Sequence, residues 1–337
     1  MKRRNFISNS AYSIAGVSLL GMYACKENKL SQKSIQNQNT LFSQTDPEIK
    51  LSLAQWSLHK MILNNQLDAM DFAQKAKELG FDSLEYVSQL YIPEIRKRGN
   101  TDQAIMDIME ELKGKSDSLS MQNQIMMVDL HDDKELLASE DETYRSASVE
   151  KHKVWVEATA ALGCHSMRVS LFGSLDQHLW LESSIKSLKE LCQYASKKNI
   201  NVIVENHGYL SSNGALMVQV MEGVQMANCG TLPDFSNFCL RREANELWST
   251  PCIEEYDKYQ GVRELMPYAK GVSAKSFNFD ENGRETTIDY LKMMRIVRDA
   301  NYNGYIGIEY EGEKLSEEEG ILATKALLKE ITKEITS

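Results

Sequence analysis

The sequence predicts an α/β protein in which eight parallel strands close into a single (β/α)8 barrel. The first observation is a strict alternation of short apolar runs with amphipathic helical stretches from Lys50 onward, which favours a parallel sheet. The second is the count, because eight strand–helix units are what a closed barrel requires. The third is that no Pro/Gly/Ser-rich break divides residues 48–337, so we expect one domain there.

The strands are expected where apolar residues run together between turn-forming residues, at 51–56, 83–87, 124–129, 166–171, 201–205, 230–235, 271–277 and 305–310. The helices are expected where apolar residues recur at helical spacing, at 66–79, 101–114, 143–162, 180–198, 212–227, 253–268, 286–300 and 316–334.

Local signals support these boundaries. Gly80, Gly163 and Asn199 each follow a predicted helix, and these residue types tolerate the left-handed backbone that ends one. Ser316 and Glu319 have the spacing of a capping box at the start of the last helix. No glycine-rich phosphate loop is present, which argues against nucleotide cofactors.

The N-terminus predicts export. Residues 1–24 place Arg3 and Arg4 before a short apolar stretch, as in twin-arginine signals, and Cys25 follows as in a bacterial lipoprotein. An ordinary cleaved signal with an incidental cysteine is the alternative, and the apolar run is too short for a membrane span. Residues 25–47 are polar and read as a flexible tether. We therefore expect a periplasmic or cell-envelope protein that contacts the membrane only through lipid on Cys25.

Charge and cysteine content narrow the function classes. The net charge of −10 argues against nucleic acid as a partner, because that recognition requires a basic surface. Beyond Cys25, the five other cysteines contain no Cys-x-x-Cys pair, so a zinc or redox motif is not indicated. Small buried residues are the simpler interpretation, with a disulfide between Cys239 and Cys252 as the alternative.

Three acidic residues, Glu205, Asp234 and Glu309, stand at or near the ends of predicted strands. Because the C-terminal ends of barrel strands meet at one mouth, we expect these carboxylates to converge there. Clustered carboxylates repel one another unless a proton or a cation offsets their charge. The pattern therefore predicts a site for a divalent metal of the Mn²⁺ or Mg²⁺ type, with acids that merely cap neighbouring helices as the alternative.

The strand-end segments together resemble the xylose-isomerase-like TIM barrels, which include sugar isomerases and sugar phosphate isomerase/epimerase-type proteins. The resemblance extends over about residues 51–331. It is carried by Leu53-Ala54-Gln55-Trp56-Ser57, Phe81-Asp82-Ser83-Leu84-Glu85, Val204-Glu205-Asn206-His207-Gly208, Asp234, Val272-Ser273-Ala274-Lys275 and Ile306-Gly307-Ile308-Glu309-Tyr310-Glu311-Gly312.

The resemblance implies a divalent metal, commonly Mn²⁺, held by Glu205, Asp234 and Glu309. The family's fourth ligand is a histidine on the seventh strand, where this sequence has Ser273. A serine hydroxyl is a poor ligand, so metal affinity should fall unless another group fills the position. His207, two residues after Glu205, is the candidate substitute.

For chemistry, the resemblance implies proton transfer next to a carbonyl group. Glu205 and Glu309 would act as the acid and base on opposite faces of the substrate, and Lys275 would stabilise the oxyanion or act as an acid. The alternative for Lys275 is an ion pair with Asp234 or Glu309 that takes the place of a metal.

Five further residues are candidates for contact with a carbohydrate. Trp56 could form a platform for a sugar ring, with a core aromatic as the alternative. Glu85 and Arg168 lie inside the predicted barrel, where they would bind substrate or each other. His131 follows the third strand and His207 the fifth. The remaining histidines, which form no constellation, are expected on loops or helix surfaces: His59, His152, His165 and His178.

The sequence thus predicts an exported sugar isomerase or epimerase that uses a divalent metal. A lyase or hydratase acting on 3-oxo-glycosides would need the same groups and remains open. So does a non-catalytic sugar-binding lipoprotein that lost the chemistry together with the histidine at position 273. A nuclease is disfavoured by the acidic charge and the predicted export.

Overall fold

The computed structural model describes residues 49–130, 136–245 and 250–336, and these lie within one compact unit. The predicted export signal, tether and lipidation site at Cys25 fall outside the described residues. None of the helices in these ranges combines the length and apolar character needed to cross a membrane.

Ten strands occur in these ranges: β1 Leu51–Ala54, β2 Ser83–Val87, β3 Gln122–Val128, β4 Ser166–Val169, β5 Asn201–Glu205, β6 Cys229–Leu232, β7 Cys239–Arg242, β8 Cys252–Glu255, β9 Val272–Ser276 and β10 Ile306–Tyr310. Eight of them form one parallel sheet in the order β6-β5-β4-β3-β2-β1-β10-β9. The described residues therefore contain the eight barrel strands that the alternation predicts.

Single bridges join the two ends of this sheet. Thr231 pairs with Ala269, and Asp234 pairs with Ser273, both in parallel orientation. The Ser273 amide donates to the Pro233 carbonyl at 2.9 Å, and the Phe235 amide donates to the Ser273 carbonyl at 3.1 Å. These contacts close the sheet into a barrel.

The predicted strands all overlap observed ones, and β2 and β5 match to the residue. The predicted first strand is two residues too long because Gln55–Leu58 forms a 3-10 turn. The predicted sixth strand is too long because Pro233, which has no amide hydrogen, follows Leu232. Strand ends are thus set by turn geometry that apolar periodicity does not report.

The same ranges contain ten α-helices: α1 His59–Leu63, α2 Phe72–Glu78, α3 Ile92–Lys97, α4 Asp102–Ser118, α5 Glu142–Leu162, α6 Gln177–Ala195, α7 Gly214–Val224, α8 Lys258–Leu265, α9 Tyr290–Asp299 and α10 Glu317–Thr336. Aspartate N-caps begin several of them; Asp176, for example, accepts from the amides of His178 and Leu179. Gly80, Gly163 and Asn199 have φ of +76°, +82° and +58°, as predicted.

The predicted capping box is also present. The Glu319 side chain accepts from the Ser316 amide at 3.0 Å, and the Ser316 hydroxyl accepts from the Glu319 amide at 3.3 Å. Both contacts satisfy amides that the first turn of a helix leaves without an intrahelical partner.

The prediction of a helix over 253–268 is wrong in its first five residues. Cys252–Glu255 instead pairs with Cys239–Arg242 as an antiparallel hairpin, and α8 begins after Asp257, which caps it by accepting from the Gln260 amide. A disulfide joins Cys239 to Cys252, so the interpretation of these two cysteines as small buried residues is also wrong. Cys164 and Cys192 are free and buried, as expected.

The barrel interior contains a buried carboxyl group with few hydrogen-bond partners. Glu85 is fully buried, and its Oε1 accepts from the Ser52 hydroxyl at 2.5 Å, whereas Oε2 has no hydrogen-bond partner among the described residues. Burial raises the pKa of Glu85 to about 8. The alternative of an ion pair with Arg168 is not formed, since that guanidinium contacts Asp129 and Glu205 instead.

Close packing between β10 and Glu85 generates the first prediction. A Cβ at Gly307 would lie 2.5 Å from Glu85 Oε2, and this buried side chain has no room to withdraw. We expect Gly307→Ala to lower the free energy of unfolding by about 1–3 kcal/mol, measured by urea denaturation. Gly114→Ala is the control, because it lies in α4 with no atom within 4 Å and should stabilise by up to about 1 kcal/mol. Equal stability of the Gly307→Ala protein and the wild type would contradict this packing.

The pKa of Glu85 generates the second prediction. The folded protein retains the Glu85 proton up to a pH of about 8, whereas the unfolded chain releases it near a pH of about 4.3. Between these values the folded state binds more protons, so the free energy of unfolding falls as pH rises, by roughly 1.4 kcal/mol per pH unit from this group. Glu85→Gln cannot ionise. Its stability relative to the wild type should therefore increase from pH 5 to pH 8 in urea titrations, and a constant difference would refute the shift.

Candidate functional site

Three carboxylates meet at the C-terminal ends of β5, β6 and β10. Glu205 is the last residue of β5, Asp234 follows β6 by two residues, and Glu309 lies near the end of β10. One oxygen from each lies within 4.8 Å of the others, and the three side chains are buried. The structure thus brings together the three acids that we expected at the barrel mouth.

Asp234 is held by a dense set of hydrogen bonds. Its Oδ1 accepts from the amides of Ser236 and Asn237, both at 2.8 Å. The Asn206 side chain accepts from the Asp234 amide and donates to its carbonyl, at 2.8 and 3.0 Å. These contacts fix the side chain and leave Oδ2 for the cluster. Burial raises the pKa of Asp234 above the usual carboxyl range.

Glu205 lies between a cation and an amide. Arg168 Nε is 2.9 Å from Glu205 Oε2, and Asn237 Nδ2 donates to Oε1 at 3.1 Å. Arg168 also contacts Asp129 at 2.5 Å. Burial raises the pKa of Glu205 although Arg168 opposes that shift. Burial would also raise the pKa of Asp129, but Arg168 and His207 outweigh this effect and lower the pKa to about 2.

Ser273 and Lys275 of β9 complete the cluster. The Ser273 hydroxyl lies 2.8 Å from both Asp234 Oδ2 and Glu309 Oε2. A hydroxyl has one proton, so Ser273 can donate to only one of these two carboxylates at a time.

Lys275 Nζ lies 3.1 Å from Glu309, 3.0 Å from Glu311 and 3.9 Å from Asp234. Burial lowers the pKa of Lys275, but the three carboxylates outweigh it and hold the pKa well above its usual range. Lys275 therefore forms the ion pair that was the alternative interpretation of this residue. A catalytic role for Lys275 stays a prediction.

The donor set of the cluster fits a divalent cation that prefers oxygen. Glu205, Asp234 and Glu309 supply three carboxylate oxygens within reach of one ion, as Mn²⁺ or Mg²⁺ prefers. His207 does not belong to this group. Its Nδ1 lies 3.2 Å from Ser170 Oγ, and its ring packs near Phe172. Among the described residues, no histidine therefore takes the position of the fourth metal ligand. Ser273 lies at that position.

A cavity of about 860 Å³ opens above the cluster. Five of the predicted site residues line it: Trp56, Arg168, His207, Lys275 and Glu309. Glu205 and Asp234 do not line it, but they contact Arg168, Asn237 and Ser236, which do. Glu85 is not part of the cavity wall, and His131 lies outside the described residues.

Trp56 and His59 form one stacked pair on the cavity wall. Their ring centroids are 4.5 Å apart with an interplanar angle of 8°, and His59 Nδ1 is 2.6 Å from the Trp56 carbonyl. Trp56 is half-buried, so it is not a fully enclosed core aromatic.

Several lining residues were missed by the sequence analysis. His59 and His152 were assigned to loops or helix surfaces, yet both line the cavity. His152 is buried on α5, where its Nδ1 lies 2.8 Å from the Ser148 carbonyl and burial lowers its pKa to about 4. Asp129 directly follows β3 and carries the same strand-end signal as Glu205. His152 lies at helical spacing from Val149, Trp155 and Val156, so the apolar face of α5 marks it as buried, but this spacing does not show that it faces the cavity.

Comparisons with known proteins are consistent with this geometry. The sequence matches the family described as "Xylose isomerase-like TIM barrel" over residues 73–331. Two relatives from Microbacterium are similar over short segments: a 3'-dehydrocarminate deglycosidase alpha subunit is 40% identical over 48 residues, and a C-glycoside deglycosidase alpha subunit is 38% identical over 50 residues. Each match spans 14% of the relative's length and 14% or 15% of this chain.

Solved structures share the fold over most of the chain. An L-ribulose 3-epimerase has a TM-score of 0.63 at 12% identity, covering 86% of this chain and 96% of its own. A 3-keto-D-glucoside 4-epimerase from E. coli has a TM-score of 0.59 at 16% identity, covering 84% and 100%. The IOLI protein with a bound zinc atom has a TM-score of 0.59 at 12% identity, covering 85% and 99%. With a family match over more than half of its length, the chain belongs to the xylose isomerase-like TIM barrel family.

Proposed function

We propose that the protein is an exported sugar isomerase or epimerase that moves a proton at a carbon next to a carbonyl group. The observation that carries the proposal is the cluster of Glu205, Asp234 and Glu309 beside the Lys275 ammonium at the base of a large cavity. Such a cluster combines groups that exchange protons with groups that stabilise negative charge. The family membership and the epimerases among its structural neighbours support a sugar as the substrate.

Glu309 and Glu205 are the acid and base of this proposal. Glu309 lines the cavity and can reach a substrate directly, whereas Glu205 is buried and has a raised pKa, which suits a group that accepts a proton near neutral pH. One removes the proton and keeps it, and the other delivers its own proton to the opposite face of the carbon, which inverts that carbon. Lys275 donates to the oxygen on which negative charge develops, and Glu311 keeps it in place.

A divalent ion, Mn²⁺ in our proposal, would be held by Glu205, Asp234 and Glu309. When bound, it would polarise the substrate's carbonyl and hydroxyl oxygens. The zinc bound to the structurally similar IOLI protein supports metal binding by this fold. Because Ser273 is a weak ligand, we expect a lower affinity than a histidine at this position would give.

The carbohydrate would contact four residues of the cavity wall. The stacked Trp56 and His59 rings offer an apolar face for a sugar ring, and Arg168 and His207 offer polar groups near the cluster. His131 remains a predicted contact from the sequence, while Glu85 lies inside the barrel against Gly307 and does not line the wall.

The proposed location follows from the N-terminal sequence: export by the twin-arginine pathway and attachment through lipid on Cys25. The Cys239–Cys252 disulfide supports a compartment outside the cytoplasm. Because sugar phosphates are mostly cytoplasmic, a free sugar or an oxidised glycoside is the better candidate substrate. Nucleic acid is not a proposed partner, given the charge of −10.

A second candidate is a lyase that cleaves 3-oxo-glycosides, and the two deglycosidase relatives favour it. Here the base removes the proton at C2, next to the C3 ketone. The electron pair forms a C1–C2 double bond while the bond from C1 to the leaving group breaks, and the leaving group takes up a proton. The same acid and base would serve both reactions.

Removal of the buried base is the third prediction. We expect Glu205→Gln to lower by at least about 10²-fold the rate at which Mn²⁺-loaded protein exchanges the C2 or C4 proton of methyl 3-oxo-glucoside for deuterium, followed by NMR. Glu313→Gln is the control, because this exposed residue pairs only with Lys60 and its loss should leave the rate unchanged. Calorimetry with Mn²⁺ should give one bound ion for the wild type. Binding of the sugar without exchange in the wild type would instead support the non-catalytic sugar-binding lipoprotein.

The products distinguish the two enzymatic candidates, which is the fourth prediction. With a panel of methyl and aryl 3-oxo-glycosides, an epimerase should return intact glycosides with one inverted carbon. A lyase should release the methanol or phenol and leave an unsaturated 3-oxo sugar. We expect epimers as the main product by NMR and mass spectrometry, and stoichiometric release of the phenol would contradict that assignment in favour of the lyase.

A further inference from the structure

The hairpin β7–β8 reaches the cavity although its strands lie outside the eight-stranded sheet. It lies between β6 and α8, and its first strand packs against the turn Tyr209–Ser212 after β5. Cys239 and Arg242, both on β7, line the cavity. The hairpin therefore contributes to the substrate-facing wall although it forms no part of the barrel.

The position of the hairpin is fixed at its base. A two-stranded hairpin alone is marginally stable in water, but the Cys239–Cys252 disulfide joins its two strands. The Tyr256 amide donates to the Phe238 carbonyl at 2.8 Å, and the rings of these two residues stack. Arg242 lies opposite Cys252 in the ladder, so the disulfide holds the backbone next to this arginine.

Arg242 differs from the other strongly basic residues of the cavity wall in having no carboxylate partner within the described residues. Arg168 pairs with Asp129 and Glu205, and Lys275 pairs with Glu309 and Glu311. Within the described residues, its side chain makes one hydrogen bond, from Nη1 to the Thr250 carbonyl at 2.8 Å. Arg242 is half-buried and lines the cavity, so it adds a positive charge to the cavity wall that no described carboxylate pairs with.

The free part of this guanidinium has a defined shape. With Nη1 used by Thr250, the edge formed by Nε and Nη2 has no hydrogen-bond partner in the part of the chain that the structure describes. Such an edge matches two oxygens of a carboxylate or a phosphate and forms paired charge-assisted hydrogen bonds. A neutral hydroxyl could use only part of it.

We propose that Arg242 binds an anionic substituent, a carboxylate or a phosphate, on the carbohydrate that the barrel accepts, away from the reacting carbon. The inference rests on the proposed function, because the same cavity holds the acid cluster and Arg242. A carboxylate, as in a uronic acid, is the source that fits a protein with a predicted location outside the cytoplasm. Arg242 is then a specificity-determining residue, and the disulfide-linked hairpin positions it.

The test compares ligands that differ at C6 alone, which is the fifth prediction. Calorimetry with the Mn²⁺-loaded protein would use D-glucuronate, neutral D-glucuronamide, D-glucose and D-glucose 6-phosphate. We expect glucuronate to bind at least about tenfold tighter than glucuronamide or glucose. Arg242→Ala should abolish this preference while changing the affinity for glucose by less than about twofold, because the neutral sugar lacks the group that the arginine binds. If glucose 6-phosphate binds more tightly than glucuronate and depends equally on Arg242, the anionic subsite is upheld and its ligand is a phosphate.

Arg241→Ala is the matched control. Arg241 is the adjacent residue on the same strand, but it pairs with Glu254 across the hairpin and does not line the cavity. Its loss should leave the preference for glucuronate intact. Equal binding of glucuronate and glucuronamide by the wild type, or a preference that survives Arg242→Ala, would overturn the subsite while leaving the proposed enzyme standing. If no sugar binds, the proposed function and the subsite fail together.

A separate measurement tests whether the disulfide positions Arg242. The double variant Cys239→Ala/Cys252→Ala should lose most of the preference for glucuronate with little change in glucose affinity, because the hairpin no longer holds Arg242 in one place. Reduction of the wild-type disulfide should reproduce this loss. A preference that persists in both cases would refute the positioning role.

Discussion

The site depends on one electrostatic constraint: three carboxylates share a buried space that water cannot screen. Glu205, Asp234 and Glu309 lie within reach of one ion, and their mutual repulsion must be offset by a cation or a proton. The structure supplies Arg168 to Glu205, Lys275 to Glu309 and a serine hydroxyl between Asp234 and Glu309. A metal ion, a proton or an ammonium group can each offset the repulsion among the three carboxylates. Proton-transfer chemistry uses the exchange of one of these positive charges for another.

The fold was predictable to a large extent because its signals are local. A parallel barrel repeats one strand–helix unit, and residues such as Gly163 and Asn199 mark where each helix ends. The hairpin β7–β8 was missed because its strands are short and exposed, so Ile253 and its neighbours show no buried face that would distinguish a strand from a helix. The disulfide that defines it depends on spatial proximity, which cysteine spacing alone leaves undetermined.

The site was predictable in part for a similar reason. Barrel topology brings strand ends together, so the convergence of Glu205, Asp234 and Glu309 followed from their positions. Side-chain direction did not follow: His207 turns toward Ser170 rather than the acids, and Glu85 lies inside the barrel with Ser52. His152 and Arg242 reach the cavity from a helix and a hairpin. Helical spacing marks His152 as buried but does not show that it faces the cavity.

The barrel wall is closed differently at one point of its circumference. Seven neighbouring pairs of strands are joined by ladders of paired residues, whereas isolated bridges join the β6 end of the sheet to the β9 end. Asp234 and Ser273 form one of those bridges through their backbones while their side chains meet in the acid cluster. The same two residues thus close the barrel through their backbones and join the acid cluster through their side chains. The separation of β6 and β9 at this point therefore sets the distance between Asp234 and the acid on β10 that shares the Ser273 hydroxyl.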